Sequence, residues 1–153
     1  MKRTIPIGLL IFAGLVFTMP AIAQRANLTP EEQRNKEIVL EFWRVVLQAG
    51  DVEKAGDYYA VDMIQHNPNV PTGLAGFKQF FSRFAREVQP VQDEVIGEVA
   101  TMVDGDLVTI VRVVHIPEPE NENETYEAFN FDTFRLENGM IVEHWDAARK
   151  PTP

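Results

Sequence analysis

The chain of 153 residues has the length of one ordinary domain, and 45% apolar with 24% charged residues is a globular composition, not a disordered one. It contains no cysteine, which excludes disulfides, thiolate nucleophiles, thiolate metal sites and a lipid-anchoring cysteine. With 14 basic against 23 acidic residues the net charge is −9, a field that repels phosphate backbones and argues against a nucleic-acid partner.

Residues 1–23 read as a secretory signal peptide. Lys2 and Arg3 precede an apolar run from Ile5 to Phe17, and Pro20 with Ala21-Ile22-Ala23 supplies a small-x-small cleavage site before Gln24. The run is shorter than the roughly 20 residues of a spanning helix, so cleavage with no stable membrane anchor is expected. The expected mature protein is one acidic domain over 24–153, secreted or periplasmic.

Thr29-Pro30-Glu31-Glu32 is a helix start with the ingredients of a capping box. Val39, Phe42, Trp43, Val46 and Leu47 then form one apolar stripe, and Gly50 ends the helix. Asp51 caps a shorter helix in which Val52, Ala55 and Tyr59 share a face. Two prolines in Met63 to Pro71 forbid a helix there and push Asn67 and Val70 into extended geometry. Thr72 caps a third helix with a stripe of Leu74, Phe77, Phe81, Phe84 and Val88, closed by Pro90.

Everything after Pro90 reads as strand. Val95 to Val103 and Leu107 to Ile116 flank the hairpin signal Asp104-Gly105-Asp106, and the proline- and acid-rich run Pro117 to Thr125 is expected to be a solvated loop. Tyr126 to Leu136 and Met140 to Asp146 flank Glu137-Asn138-Gly139. Helices followed by an antiparallel meander of three or four strands predict an α+β fold with helices on one face of a curved sheet.

The register of the last hairpin decides which side chains meet. With Glu137-Asn138-Gly139 as a three-residue loop, Leu136 faces Met140, Phe134 faces Val142, Asp132 faces His144 and Asn130 faces Asp146. These residues then share one face, and Phe129, Phe131, Thr133, Arg135, Ile141, Glu143 and Trp145 share the other. A two-residue Asn138-Gly139 turn would instead set Asp132 opposite Trp145. The first register is preferred because it gathers an acid–imidazole cluster among apolar residues, as on a pocket floor.

A carboxylate beside an imidazole in an apolar cavity can abstract a proton next to a carbonyl, with Asn130, Tyr58 or Tyr59 as a donor to the enolate. The plainer alternative is a hydrogen-bonded structural pair. His66, Asp132 and His144 could also imitate a two-histidine, one-carboxylate metal triad. His115, at a strand end, reads as a surface residue. Asn27-Leu28-Thr29 and Asn123-Glu124-Thr125 are glycosylation acceptors only in a eukaryotic host. No phosphate loop, nucleophile elbow or dinucleotide fingerprint is present.

Ile64-Gln65-His66-Asn67-Pro68, Val70-Pro71-Thr72-Gly73 leading into Phe77 and Phe80-Phe81, Asp104-Gly105-Asp106-Leu107-Val108, and Phe131 to Arg135 with Glu137 to Asp146 resemble the SnoaL-like proteins. These are polyketide-cyclase-like members of the nuclear transport factor 2-like superfamily, and the resemblance runs from about Pro30 to Lys150. It implies a cone of three helices on a strongly curved, mostly antiparallel sheet around one pocket, and a homodimer. It also implies that His66, Asp132, His144 and Asp146 lie near that pocket, where an acid, Asp132 or Asp146, serves as acid/base without metal or organic cofactor. Relatives often carry a histidine in the strand after the Asp-Gly hairpin, where this chain has Val108 to Val113 and brings His115 later.

The leading expectation is a secreted, cofactor-free cyclase or isomerase acting on a carbonyl compound. Its candidate catalytic residues are Asp132, His144, His66 and Asp146; Asn67, Asn130, Tyr58, Tyr59 and Phe134 are candidate substrate contacts, and no metal is expected. The alternative is a non-catalytic protein that binds a small apolar ligand in the same pocket. A third reading is an interaction domain using the face of Phe129, Phe131 and Trp145.

Overall fold

In a computed structural model of the protein, which describes residues 27–151, the first helix begins at the capping box. The expected signal peptide lies outside the described residues. Helix α1 (Pro30–Phe42) starts with the Thr29 hydroxyl accepting from the Glu32 N–H at 3.2 Å, while the Thr29 N–H donates to Glu32 Oε2 at 2.8 Å. The other Glu32 oxygen accepts from the Gly105 N–H at 3.1 Å, so the cap also ties the helix to a hairpin turn of the sheet.

The helix runs on into one π-helical turn, Trp43–Gln48, and stops at Gly50, whose φ of +86° suits glycine. A 3-10 turn, Val52–Asp57, leads into strand β1 (Tyr59–Gln65). Helix α2 (Gly73–Phe81) ends in a 3-10 turn, Ser82–Phe84. Strands β2 (Glu98–Asp104), β3 (Leu107–Glu118), β4 (Asn121–Glu137) and β5 (Met140–Trp145) follow. The curved, unclosed sheet has the order β1-β5-β4-β3-β2, with β1 parallel to β5 and the other pairs antiparallel. The α+β expectation stands, with one strand more than the meander predicts. No described helix is long and apolar enough to cross a membrane.

The core forms where the helical stripes meet the inner sheet face. Phe42, fully buried, touches the rings of Tyr58, Tyr59, Phe77 and Phe134 at centroid distances of 5.9, 4.7, 6.0 and 5.8 Å.

Several local expectations are corrected. Tyr59 opens β1 instead of closing a helical face, because a six-residue helix is marginal and pairing with β5 wins. The Thr72 hydroxyl caps no helix; it accepts from the Gln65 N–H at 2.9 Å and donates to the Met63 carbonyl at 3.3 Å. Helix α2 stops at Phe84, leaving Phe84 and Val88 exposed, because the following chain bonds to the end of the first helical segment. There the Gln89 N–H donates to the Ala49 carbonyl at 2.9 Å and Arg86 to the Gln48 carbonyl at 2.6 Å.

Strand β2 starts at Glu98 rather than Val95, after a turn at Gly97 (φ +76°). The expected loop Pro117 to Thr125 is mostly strand: β3 and β4 extend past their neighbours as a solvated ribbon, where polar composition carries no burial cost. In the last hairpin only Asn138 (φ 52°) and Gly139 (φ 79°) turn, then a bulge at Val142 adds a residue, so neither expected register holds. Phe134 pairs with His144 and Leu136 with Ile141, which moves Ile141 from the outer face into the core. Because the bulge restores the even parity, Asn130, Asp132, Phe134, His144 and Asp146 still reach one side of the sheet.

Candidate active site

A cavity of about 280 Å³ opens between the inner sheet face and the two helices. Trp43, Leu47, Phe77, Phe81 and Phe134 supply its apolar wall; Gln65, Asn67, Arg112, Asn130, Asp132, His144 and Asp146 supply its polar groups. In the π turn Trp43 and Leu47 line the cavity together, and Val45 and Val46 fill the core.

His144, 7% exposed, has both ring nitrogens engaged. Nδ1 lies 2.8 Å from Gln65 Oε1, and that oxygen also accepts from the Asn67 backbone N–H at 2.9 Å. The backbone donor identifies this atom as the amide oxygen, so Nδ1 of His144 is the protonated nitrogen. Nε2 lies 3.3 Å from Asp132 Oδ1. A neutral ring offers only a lone pair there, so a hydrogen bond between the two requires one further proton, on the ring or on the carboxyl. Asp132 is therefore not opposite His144 but diagonal to it, and close enough to share a proton.

Asp146 is held differently. Its Oδ2 accepts from Asn67 Nδ2 at 2.6 Å and its Oδ1 from the Ala148 N–H at 2.8 Å. Asn67 is itself fixed, because its Oδ1 accepts from the Asn69 N–H at 2.9 Å. Asp132, His144 and Asp146 each offer a donor atom within 4.8 Å of the others, a set chemically able to hold a divalent cation. His66, a member of the triad imitation considered from sequence, is not in this group.

Tyr59 lines the cavity, and burial first, then the charges of Asp132 and Asp146, push its phenol well above its ordinary pKa, so it remains a neutral donor. Burial lowers the Arg112 guanidinium while the charge of Asp132 opposes that shift. The guanidinium lies 4.3 Å over the Trp43 ring and donates one long bond, 3.4 Å, to the Ile96 carbonyl.

Two expected site residues lie elsewhere. His66 sits on the outer side of the sheet, exposed, stacked on Trp145 at 5.1 Å and 2.7 Å from Glu143 Oε1. One residue along the strand from Gln65, it points the opposite way. Tyr58 is a core residue against Phe42; its hydroxyl bonds to Glu41, and burial raises its pKa.

On that outer face Glu143 is held below the ordinary carboxylate range by the His66 hydrogen bond first and then by Arg135, whose Nε donates to it at 3.0 Å. A depressed folded-state value means that the Glu143 charge stabilises the fold above the unfolded carboxylate pKa, and that this contribution is lost as pH falls through the folded value. Urea midpoints measured from neutral to acid pH should fall less steeply in Glu143→Gln than in the parent; coincident acid limbs would refute the network's role.

Sequence reasoning assigned no role to Gln65, although it stood in a noted motif, and none to Arg112. The signal for Arg112 was a charge at an inward position of β3, after Val108 and Ile110.

Residues 39–144 match the SnoaL-like domain profile. Among solved structures, a SnoaL-like polyketide-cyclase-type protein from Jannaschia sp. CCS1 is 16% identical, with a TM-score of 0.55 over 79% of this chain and 90% of that one. An epoxide hydrolase of the LEH-like kind from M. tuberculosis is 18% identical, with a TM-score of 0.54 over 76% and 84%. TerC, co-crystallised with polyporic acid, is 14% identical, with a TM-score of 0.55 over 76% and 92%. No curated protein matches the chain. The identities carry the fold alone, which is nuclear transport factor 2-like, but the profile spans most of the described domain and reaches from before Gln65 to His144: the chain belongs to the SnoaL-like family.

Proposed function

We propose that this SnoaL-like protein is a small-molecule enzyme that moves a proton at the carbon beside a carbonyl group, as in an aldol cyclisation or an isomerisation. The step needs no metal or organic cofactor. The observation that carries the reading is Asp132 Oδ1 lying 3.3 Å from His144 Nε2 at the wall of a cavity whose other side is aromatic. Asp132 is the base. Among the described residues its side-chain partner is His144, whereas each Asp146 oxygen already accepts from a donor.

In the first step the α C–H proton passes to the Asp132–His144 pair. The C–H electrons form the enolate double bond, and the carbonyl π electrons move to oxygen. The Tyr59 phenol is the donor suited to that oxygen, since it stays protonated in this setting. Gln65 keeps the imidazole in the tautomer that turns Nε2 toward Asp132. In the second step the pair returns the proton to carbon, or the enolate carbon attacks a second carbonyl of the same substrate, whose π electrons move to its oxygen, and the pair gives the proton to that alkoxide.

The N-terminal pattern Lys2-Arg3, apolar run and Ala21-Ile22-Ala23 supports action outside the cytoplasm, in the periplasm or after secretion. Phe129 and Phe131, each about half exposed on the outer sheet face, support a homodimer.

The test is deuterium exchange at the α position of phenylacetone in deuterated buffer, followed by proton NMR. The parent and His66→Asn should both accelerate it over buffer, and His144→Ala should not. Binding of phenylacetone with no acceleration by the parent would replace this reading with the non-catalytic binding protein.

A further inference from the structure

Arg112 is the cationic side chain of the cavity, and it feels the charge of Asp132 without touching it. Its side chain is half-buried, its Nε is shut off from solvent with no hydrogen-bond partner, and no carboxylate of the described residues lies within ion-pair distance of it. What it has instead is the face of Trp43 and one long bond to the Ile96 carbonyl. Withdrawing a guanidinium partly from water and leaving its Nε without a partner costs stability, and an oxyanion on the group would offset that cost.

The strand register sets this cation in a row of polar groups. Arg112 of β3 pairs with Asn130 of β4, and Ile110 pairs with Asp132; on the far side of β4 come His144 of β5 and then Gln65 of β1. The guanidinium leans over Trp43 and toward Ile96, which precedes β2, so it lies on the side of β4 away from β5. The cavity thus has a cationic end against an indole and a proton-transfer end at His144, with aromatic walls between them.

We infer that Arg112 is an anion subsite, and that the ligand is an enolisable carbonyl compound carrying a carboxylate or comparable oxyanion beside an aryl or other apolar ring. The oxyanion takes the planar donor fork of Arg112, a geometry suited to a two-oxygen acceptor. The ring fills the wall of Trp43, Phe77, Phe81 and Phe134. The enolisable part of this description rests on the proton-transfer reading above; the anionic part does not.

Phenylpyruvate and phenylacetone share a phenyl ring and an enolisable ketone and differ in the carboxylate, so they serve as the probes. Calorimetric titration of the parent should show phenylpyruvate binding about tenfold or more tightly than phenylacetone, the factor expected of one charge-assisted hydrogen-bonded pair. In Arg112→Gln that preference should vanish, and Arg112→Lys should keep part of it. Because Arg112 also packs on Trp43, the parent supplies a second readout that needs no variant. Its Arg112 Nε–H resonance should move on adding phenylpyruvate and stay in place with phenylacetone.

Equal affinities in the parent, or a preference that survives in Arg112→Gln, would overturn the subsite and leave Arg112 as a counter-charge to Asp132. If the preference is found but no variant or parent exchanges α protons, the proton-transfer reading falls and the anion subsite stands.

Discussion

Asp132→Asn is expected to slow α-proton exchange on phenylacetone by roughly 10²-fold or more, the usual scale for losing a general base, with the thermal transition retained. The amide keeps the shape of the carboxyl group and can still donate to the lone pair of His144 Nε2, so the fold has no reason to change. What disappears is the capacity to accept a proton. The imidazole remains, and Gln65 still fixes its tautomer, so nitrogen NMR should report His144 protonated at Nδ1 in both proteins. Asp146→Asn should do less to exchange, because that carboxylate is committed to Asn67 and Ala148. Full exchange in Asp132→Asn with loss in Asp146→Asn would transfer the base to Asp146. Full exchange in both would remove base catalysis by either carboxylate.

The order of helices and strands was legible because capping and periodicity are local: Thr29 with Glu32, the stripe through Val39, Phe42 and Val46, and the two hairpin glycines Gly105 and Gly139 each act within a few residues. Strand β1 was not legible. Tyr59 lies at helical spacing from Val52 and Ala55, and only β5, about eighty residues later, gives the segment hydrogen-bond partners as a strand. The ribbon beyond Pro117 was hidden by the opposite ambiguity, since a hairpin solvated on both faces has the composition of a loop.

The site shows the same division. The parity of Asn130, Asp132 and Phe134 with His144 and Asp146 followed from alternation and survived an error in register, because the shorter turn and the bulge at Val142 each shift the pairing by one position, two in all. The separation of His66 from its neighbours Gln65 and Asn67 depends on which face of β1 looks inward, and the strand itself had not been recognised. Arg112 was visible as a charge in an apolar alternation, yet its meaning needs Trp43, whose ring meets it only in the folded chain.

Phe42→Ala is expected to cost about 3–5 kcal/mol, the range for removing a buried aromatic side chain, against about 1.5 kcal/mol or less for Phe42→Leu. Phe42 is fully buried at the junction between α1 and the π turn, and four aromatic rings lie within 6.0 Å of its own. Three of them, Tyr59, Phe77 and Phe134, also line the cavity. A void at Phe42 cannot be filled by collapse without moving those three. A loss of this size is a large fraction of the stability of an ordinary domain. Urea denaturation followed by circular dichroism would measure it, and a cost under about 1 kcal/mol in Phe42→Ala would mean that the ring cluster is not the centre of the core. The consequence reaches the chemistry through one contact. Phe134 lies against the His144 ring at a centroid distance of 4.7 Å, so loosening its packing frees the imidazole that must stay aimed at Asp132. At temperatures where the variant remains folded, Phe42→Ala should therefore bind phenylacetone but exchange its α protons more slowly than Phe42→Leu.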